Sequence, residues 1–349
     1  MNTKPNLRNY TEDALISIME DMGEKPFRAK QIFKWLHKGV ESFDEMTDIS
    51  KALKEKLAFS YRIDNLHIEK KFVSSIDGTI KYLFRLYDGN FIESVVMKYK
   101  HGNTICVSSQ VGCNMGCRFC ASAIGGKIRN LETGEITDQL LKAQKDSGLK
   151  ISNIVMMGIG EPLDNFDNVA AFLKNANHQN GLFISARHIT ISTCGIADKI
   201  GDLLALGLPV TLSVSLHSPT NEKRSEIMPI NKKYPIEVLL SAAKEYIKKT
   251  GRRVSIEYAL INGETDSLDF AKKLLALLGR DLFHVNLIPV NKVKERDYEK
   301  SSTKQIKLFM DYLNNNGLTA TLRREMGSDI NAACGQLRKQ TMEKRGDNS

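Results

Sequence analysis

Three cysteines stand within eight residues, Cys113, Cys117 and Cys120, in the run C-N-M-G-C-R-F-C. Three thiolates at that spacing can meet one inorganic centre and leave a coordination position that no neighbouring residue fills. A structural zinc site closes with four protein ligands, usually as two CxxC or CxxH pairs. An iron–sulfur cluster is held by cysteine thiolates, and an iron without a protein ligand is free to bind a substrate or cofactor. The open position therefore favours a catalytic [4Fe–4S] cluster over zinc, and over three unrelated core thiols. Further along, Gly158-Ile159-Gly160-Glu161-Pro162 joins glycines that let backbone approach a ligand to a carboxylate that can accept from an ammonium group. Polar residues recur where strands are expected to end: Ser192, the run Ser215-Leu216-His217, and Asn286 to Asn291. Cys106 and Cys334 stand far apart in sequence and, taken alone, read as two unconnected free thiols. Glu93 interrupts the apolar run Phe91–Met97, and pattern alone turns it toward solvent.

These residues need a scaffold. Up to about residue 60 the apolar positions fall at helical spacing: Ala14, Leu15, Ile18 and Met19, then Ala29 to Leu36, then Ser42 through Leu53 and Leu57. Pro26 suits a first turn and Gly39 a helix end. Arg28, Lys30, Lys34 and Lys38 give the second helix a basic face, either solvated surface or an RNA contact. From Leu66 to Val111 the period becomes two, with Asp77-Gly78 and Asp88-Gly89 at turns, which predicts antiparallel hairpins. Beyond the cysteines, strands near 154–157, 188–192, 210–216, 254–260, 284–289 and 318–323 alternate with helical stretches. That alternation predicts a parallel sheet with right-handed crossovers, and about six such units suggest an open (β/α) barrel. Barrel active sites are built at the C-terminal ends of the strands, where the polar residues above fall.

The chain has 349 residues, 42% apolar and 26% charged, with six cysteines. So few cysteines in so long a chain argue against a secreted disulfide scaffold and for reduced thiols in a cytoplasm. The opening residues lack an apolar run of signal-peptide length, and no later run approaches a membrane span. A net charge of +9 favours nucleic acid as a partner.

The C-x3-C-x2-C spacing, with Phe119 before the last cysteine, resembles the radical S-adenosylmethionine (SAM) superfamily. That resemblance implies that the amino and carboxylate groups of SAM chelate the unique iron. It also implies reductive cleavage to a 5′-deoxyadenosyl radical, chemistry that belongs to the cofactor. Beside such a centre, Cys106 and Cys334 suggest a covalent carrier and its resolving partner. Glu93, Cys106-Val107-Ser108-Ser109-Gln110, the cysteine loop, Met157 to Pro162, Ser215-Leu216-His217, Asn286 to Pro289 and Ala332 to Leu337 occur together in order. Jointly they resemble the family of dual-specificity 23S rRNA and tRNA adenine-C2 methyltransferases.

The family resemblance implies an α/β fold, a partial (β/α)6 radical-SAM barrel with an N-terminal helical accessory domain and β-hairpin extension. It divides the chain into an RNA-binding region with its β extension (1–98), the barrel (99–327) and a loop and tail carrying the methyl-carrier cysteine (328–349). By resemblance Cys113, Cys117 and Cys120 hold the [4Fe–4S] cluster, and Gly160, Glu161, Ser192, Ser215, Leu216, His217 and Asn291 contact SAM. One SAM methylates Cys334; a second yields the radical that takes a hydrogen from the S-methyl group. The resulting methylene adds to adenine C2, Glu93 removes the C2 proton, and Cys106 releases the product by forming a disulfide with Cys334. The implied partners are 23S rRNA, tRNA, an electron donor such as flavodoxin or ferredoxin, and a thiol reductant, with no membrane. Asn331 and Cys194 depart from the family pattern, which commonly has Asp and Ser there. A sister family acting on adenine C8 shares most motifs, although Pro162, Pro289 and the stretch Ala121–Gly126 favour C2. A zinc-bound, non-catalytic RNA-binding protein is the alternative of another class, and it leaves Cys334 and the strand-end motifs without a role.

Overall fold

The computed structural model of the protein describes residues 4–279, 281–290, 298–330 and 332. Asn291 and Cys334 lie outside these described residues. Three helices come first: α1 (Glu12–Asp21), α2 (Phe27–Lys38) and α3 (Lys51–Ser60). The Thr11 hydroxyl accepts from the Ala14 amide at 3.3 Å to cap α1, and Gly39 ends α2 with φ of 84°, a conformation glycine adopts without a Cβ penalty. The third helix starts later than its apolar pattern predicts. Ser42 instead heads a short 3-10 turn, whose Glu45 folds back to accept from the Ser42 amide, and Ser50 caps α3. Leu15, Met19, Ile32, Phe33, Leu36, Leu53 and Leu57 close this region into a small core of its own.

Among the described residues, ten strands form one sheet. Its antiparallel part is β1 (His67–Val73), β2 (Ile80–Arg85) and β3 (Phe91–Tyr99). Next comes β4 (Gly102–Cys106), antiparallel to β3 but parallel to β7 (Ile151–Met156), so the last expected hairpin strand is in fact the first strand of the barrel. β5 (Gln110–Gly112) and β6 (Lys127–Asn130) form a separate ribbon around the cysteine loop. The parallel series continues through β8 (Ile189–Thr193), β9 (Thr211–Ser215), β10 (Val254–Leu260), β11 (Phe283–Pro289) and the short β12 (Ala320–Leu322). Helices α4 (Thr133–Ser147), α5 (Phe166–Asn177), α6 (Ala197–Ala205), α7 (Asn221–Ile227), α8 (Ile236–Thr250), α9 (Leu268–Leu278) and α10 (Thr303–Asn315) connect them. Six strand–helix units and a seventh strand thus make the partial barrel that the alternation predicts.

One helix buries polar residues beside its apolar stripe. In α4 Ile136, Leu140, Leu141 and Ala143 are buried at helical spacing, and Thr133, Glu135, Thr137, Asp138 and Gln139 are buried with them. Each has an internal partner. Glu135 pairs with Arg129 at 2.7 Å; Asp138 pairs with Arg8 at 2.9 Å and accepts from the Leu66 amide; Gln139 accepts from Ser94 and from the Ser108 amide. The fully buried Arg8 also donates to the carbonyls of Leu36, Val40 and Asp64, tying the helical region to α4.

Candidate active site

The cysteine loop leaves the barrel at the C-terminal end of β4 and is shaped by backbone bonds. The Cys113 amide donates to the Gly126 carbonyl (3.2 Å), the Cys120 amide to the Cys117 carbonyl (3.1 Å), and the Arg118 amide to the Ile227 carbonyl (2.9 Å). Gly112 stands at φ 79°, and a Cβ there would lie 1.9 Å from the Gly126 carbonyl oxygen, so only glycine closes the ribbon. The three thiols then face one cavity of about 270 Å³. Strand ends supply the rest of its lining: Met156 to Gly158, Gly160 and Glu161 after β7, Ser192 to Cys194 on β8, and Ser215 and His217 after β9. Beyond these come Glu257 and Ala259 on β10, Ile288 to Val290 on β11, and Arg323 after β12.

The cavity suits a sulfur-ligated centre. Burial pushes the Cys113 thiol up to about 12 and Cys117 well above its ordinary value, and Cys120 adds to both shifts through its charge. As thiols they keep their protons at neutral pH, and a metal centre takes them as thiolates with release of those protons. Among the described residues no three His, Cys, Asp or Glu side chains converge closely enough to hold one metal ion.

The facing wall is polar and braced. Gly160 has φ of 108°, and a Cβ there would lie 2.6 Å from Gln110. Close packing lets the Gln110 side chain accept from the Glu161 amide at 2.9 Å while donating to Asn130 and Asp164. Glu161 is buried, and burial raises its pKa against the bonds it accepts from the amides of Cys194 (2.7 Å) and Leu163 (3.0 Å). The loop after β7 is thereby fastened to β8. His217 is a non-glycine residue at φ 56°, held there as its Nδ1 accepts from the Ala259 amide at 2.9 Å. Burial, then the Arg224 charge, lowers its pKa to about 3, so the ring is neutral with its proton on Nε2. It meets Phe119 edge-on at 4.7 Å. Leu216 does not line the cavity; its side chain is buried in the main core.

Cys106 ends β4 beside this cavity, packed with Val95, Met97, Met157, Met326 and Ala332. Burial raises its pKa, with Arg323 pulling the other way. Met157 packs in the Cys106 cluster and also lines the cavity, and Arg323, another lining residue, acts on the thiol through its charge. Ala332, two residues before Cys334 in sequence, lies in that same cluster. Glu93 is where the solvent-facing expectation fails: it is 2% exposed and its Oε2 lies 2.9 Å from Nζ of the equally buried Lys81. An antiparallel β3 brings its early residues beside the C-terminal end of β4. Ser108, two residues past Cys106, donates to the Glu93 carbonyl at 2.7 Å.

Comparison with known proteins now decides the family. A family model for the ribosomal RNA large subunit methyltransferase N-terminal domain matches residues 5–63, and one for the radical SAM superfamily matches residues 107–275. A protein of Clostridium novyi described as probable dual-specificity RNA methyltransferase RlmN is 53% identical, over 96% of this chain and 98% of that protein. One of Alkaliphilus oremlandii with the same description is 54% identical, over 97% and 99%. The chain belongs to the RlmN family of radical SAM RNA methyltransferases. A crystal structure of a radical SAM methyltransferase from Sphaerobacter thermophilus superposes with a TM-score of 0.89 at 39% identity, over 95% of this chain and 98% of that one. The fold, the enzyme class and the pairing of a [4Fe–4S] cluster with SAM follow from that membership.

Several residues of the site escape a sequence reading. Glu257 lines the cavity, buried and accepting from Ser213 (2.7 Å), Ser255 (3.2 Å) and Asn286 (2.8 Å), so the Asn286 amide is committed to Glu257. Arg224 is fully buried and donates to the carbonyls of Cys194, Ser215, Leu216 and Tyr234 and to Asn231, which locks the ends of β8 and β9. Lys81 is hidden in a strand of apolar neighbours. It lies on β2, next to β3, one diagonal step from Glu93, which stands opposite Leu83.

Proposed function

We propose that this protein methylates C2 of an adenosine in the peptidyl-transferase centre of 23S rRNA and of the adenosine 3′ to certain tRNA anticodons, through an S-methyl group on Cys334. The observation that carries this reading is one cavity with three thiols on one wall and polar strand ends on the other, with Cys106 and Ala332 packed together behind its lining residue Met157. Cys113, Cys117 and Cys120 are the ligands of the cluster. When bound, it supplies the electron that cleaves SAM to a carbon-centred radical. Carbonyls around Gly160, the Glu161 carboxylate, Ser192, Ser215 and the Nε2 proton of His217 orient SAM, with Asn291 added from outside the described residues. Leu216 contributes by holding the strand end, since its side chain packs in the core.

An adenine C2 is an electron-poor sp2 carbon, so a tethered methylene must reach it and the C2 proton must leave. Glu93, ion-paired and buried beside Cys106, is the base that accepts that proton. The adduct must also give up one electron, which returns to the cluster. Cys106 then attacks the Cys334 sulfur, breaking its bond to the methylene carbon, which takes a proton to become the methyl group, and leaving a disulfide. A thiol reductant restores both thiols, and a one-electron carrier of the flavodoxin or ferredoxin class serves the cluster. No helix of the described residues is long and apolar enough to cross a membrane, which suits an enzyme meeting its RNA in the cytoplasm. The helical region, with Lys30, Lys34 and Lys38 exposed at one-turn spacing, is the RNA-binding module. Nucleoside mass spectrometry of a deletion strain tests the reaction. Loss of 2-methyladenosine from rRNA and tRNA is expected, and loss of 8-methyladenosine instead would overturn the C2 assignment.

A further inference from the structure

The turn between β1 and β2 reaches across to the segment that precedes Cys334. The Asp329 carboxylate accepts from the Ser74 hydroxyl (2.7 Å), the Ser75 amide (2.9 Å) and the Ser75 hydroxyl (3.0 Å). In the other direction the Asp77 carboxylate accepts from the Gly327 amide at 2.9 Å. Each partner is also bonded within itself. Ser74 Oγ also accepts from the amides of Ile76 and Asp77, and Asp77 caps Thr79, so the turn is internally bonded. On the other side, the amides of Ile330 and Ala332 both donate to the Gly327 carbonyl. Gly327 itself sits at φ 61°, where a Cβ would lie 2.7 Å from the Ala332 Cβ and 3.0 Å from Thr79. Ala332 packs in the cluster that contains Cys106. The Ser74 hydroxyl also holds the Asp329 carboxyl below its usual range, as an accepting carboxylate should be.

We propose that the β1–β2 turn is a latch that holds residues 327–330, and with them Ala332, beside Cys106, with Ser74, Asp77 and Asp329 as positioning residues for the carrier thiol that follows in sequence. This rests on the assignment of Cys334 and Cys106 as carrier and resolving thiol. Charge-assisted bonds to a carboxylate are about twice as strong as neutral ones, and three converge on Asp329. Anchoring one end of a short segment raises the effective concentration of the thiol that follows. Asp329 is exposed, so its removal leaves the fold intact while freeing the segment.

The test equilibrates the full-length, cluster-loaded protein anaerobically in reduced and oxidised glutathione. Each disulfide formed consumes one oxidised glutathione and releases two reduced, and peptide mass spectrometry counts the Cys106–Cys334 bond. Relative to the unsubstituted protein, Asp329→Ala should lower the equilibrium constant for that bond about tenfold. Asp329→Asn, which keeps one acceptor oxygen, should fall between, with SAM binding and iron content unchanged in both. Equal equilibrium constants in all three proteins would overturn the latch while leaving the thiol pair standing. Absence of the disulfide from the unsubstituted protein would overturn the pairing, and the latch with it.

Discussion

At the residue scale, the two distant thiols are separated by how their loss should fail. Cys334→Ala removes the carrier, so no methyl group enters the protein and no RNA adduct forms. Cys106→Ala leaves loading and addition intact, but nothing displaces the thioether. RNA should then accumulate covalently on the protein, survive a denaturing gel and map to Cys334 by peptide mass spectrometry. Normal turnover by Cys106→Ala would refute the resolving role. Glu93→Gln should stall at the same adduct, because it removes the base while keeping an oxygen near Lys81 and so spares the fold. Lys81→Met is the complementary case. It leaves Glu93 buried with its ion-pair partner gone, and breaking a buried pair from one side is expected to destabilise by about 3–5 kcal/mol. Urea unfolding measures this, and a change below about 1 kcal/mol would mean that other contacts carry Glu93. The gathering of Cys113, Cys117 and Cys120 on one cavity was legible from their spacing. Glu93 was not, because its burial depends on a lysine that the sequence places on a different strand.

At the scale of elements, the loop after β7 shows how backbone conformation carries function. Gly160 is needed twice over, by φ of 108° and by a contact that leaves a Cβ only 2.6 Å from Gln110. Gly160→Ala should therefore push the loop off Gln110 and loosen the Glu161 amide bond, weakening equilibrium SAM binding at least about tenfold. Isothermal titration checks it, and unchanged affinity would show that the loop does not form the SAM wall. A GxGEP run was readable as a ligand-facing turn from its glycines. The partner that demands them, Gln110, came only with the fold. Helix α4 marks the limit of pattern reading. Its Ile136, Leu140, Leu141 and Ala143 keep a helical period, but Glu135, Asp138 and Gln139 are buried against Arg129, Arg8 and Ser108, partners on other segments that no period reveals.

At the scale of the whole molecule, the net charge of +9 and the separate helical core become one question about RNA. Alternation of strands and helices was enough to read a partial barrel, but charge alone does not say where a polyanion lies. The structure narrows it. Lys30, Lys34 and Lys38 are exposed along α2 and have no carboxylate partner among the described residues, whereas Arg28 is drawn back to Gln31 and Asp48. Three cations without carboxylate partners among the described residues, Lys38 also lying over the Trp35 ring at 4.6 Å, match a phosphate track better than a surface laced with ion pairs. Neutralised phosphates release counterions, so the logarithm of affinity falls linearly with that of salt, by about 0.7 to 0.9 per contact. Replacing all three lysines with alanine should reduce the salt slope by roughly 2–3 and weaken rRNA-fragment and tRNA binding alike, since phosphate contacts carry no base information. Cluster content and SAM affinity should be untouched, because the two cores are separate. A slope that stays the same would move the RNA off the helical region and onto the barrel mouth, where Arg323 already lines the cavity.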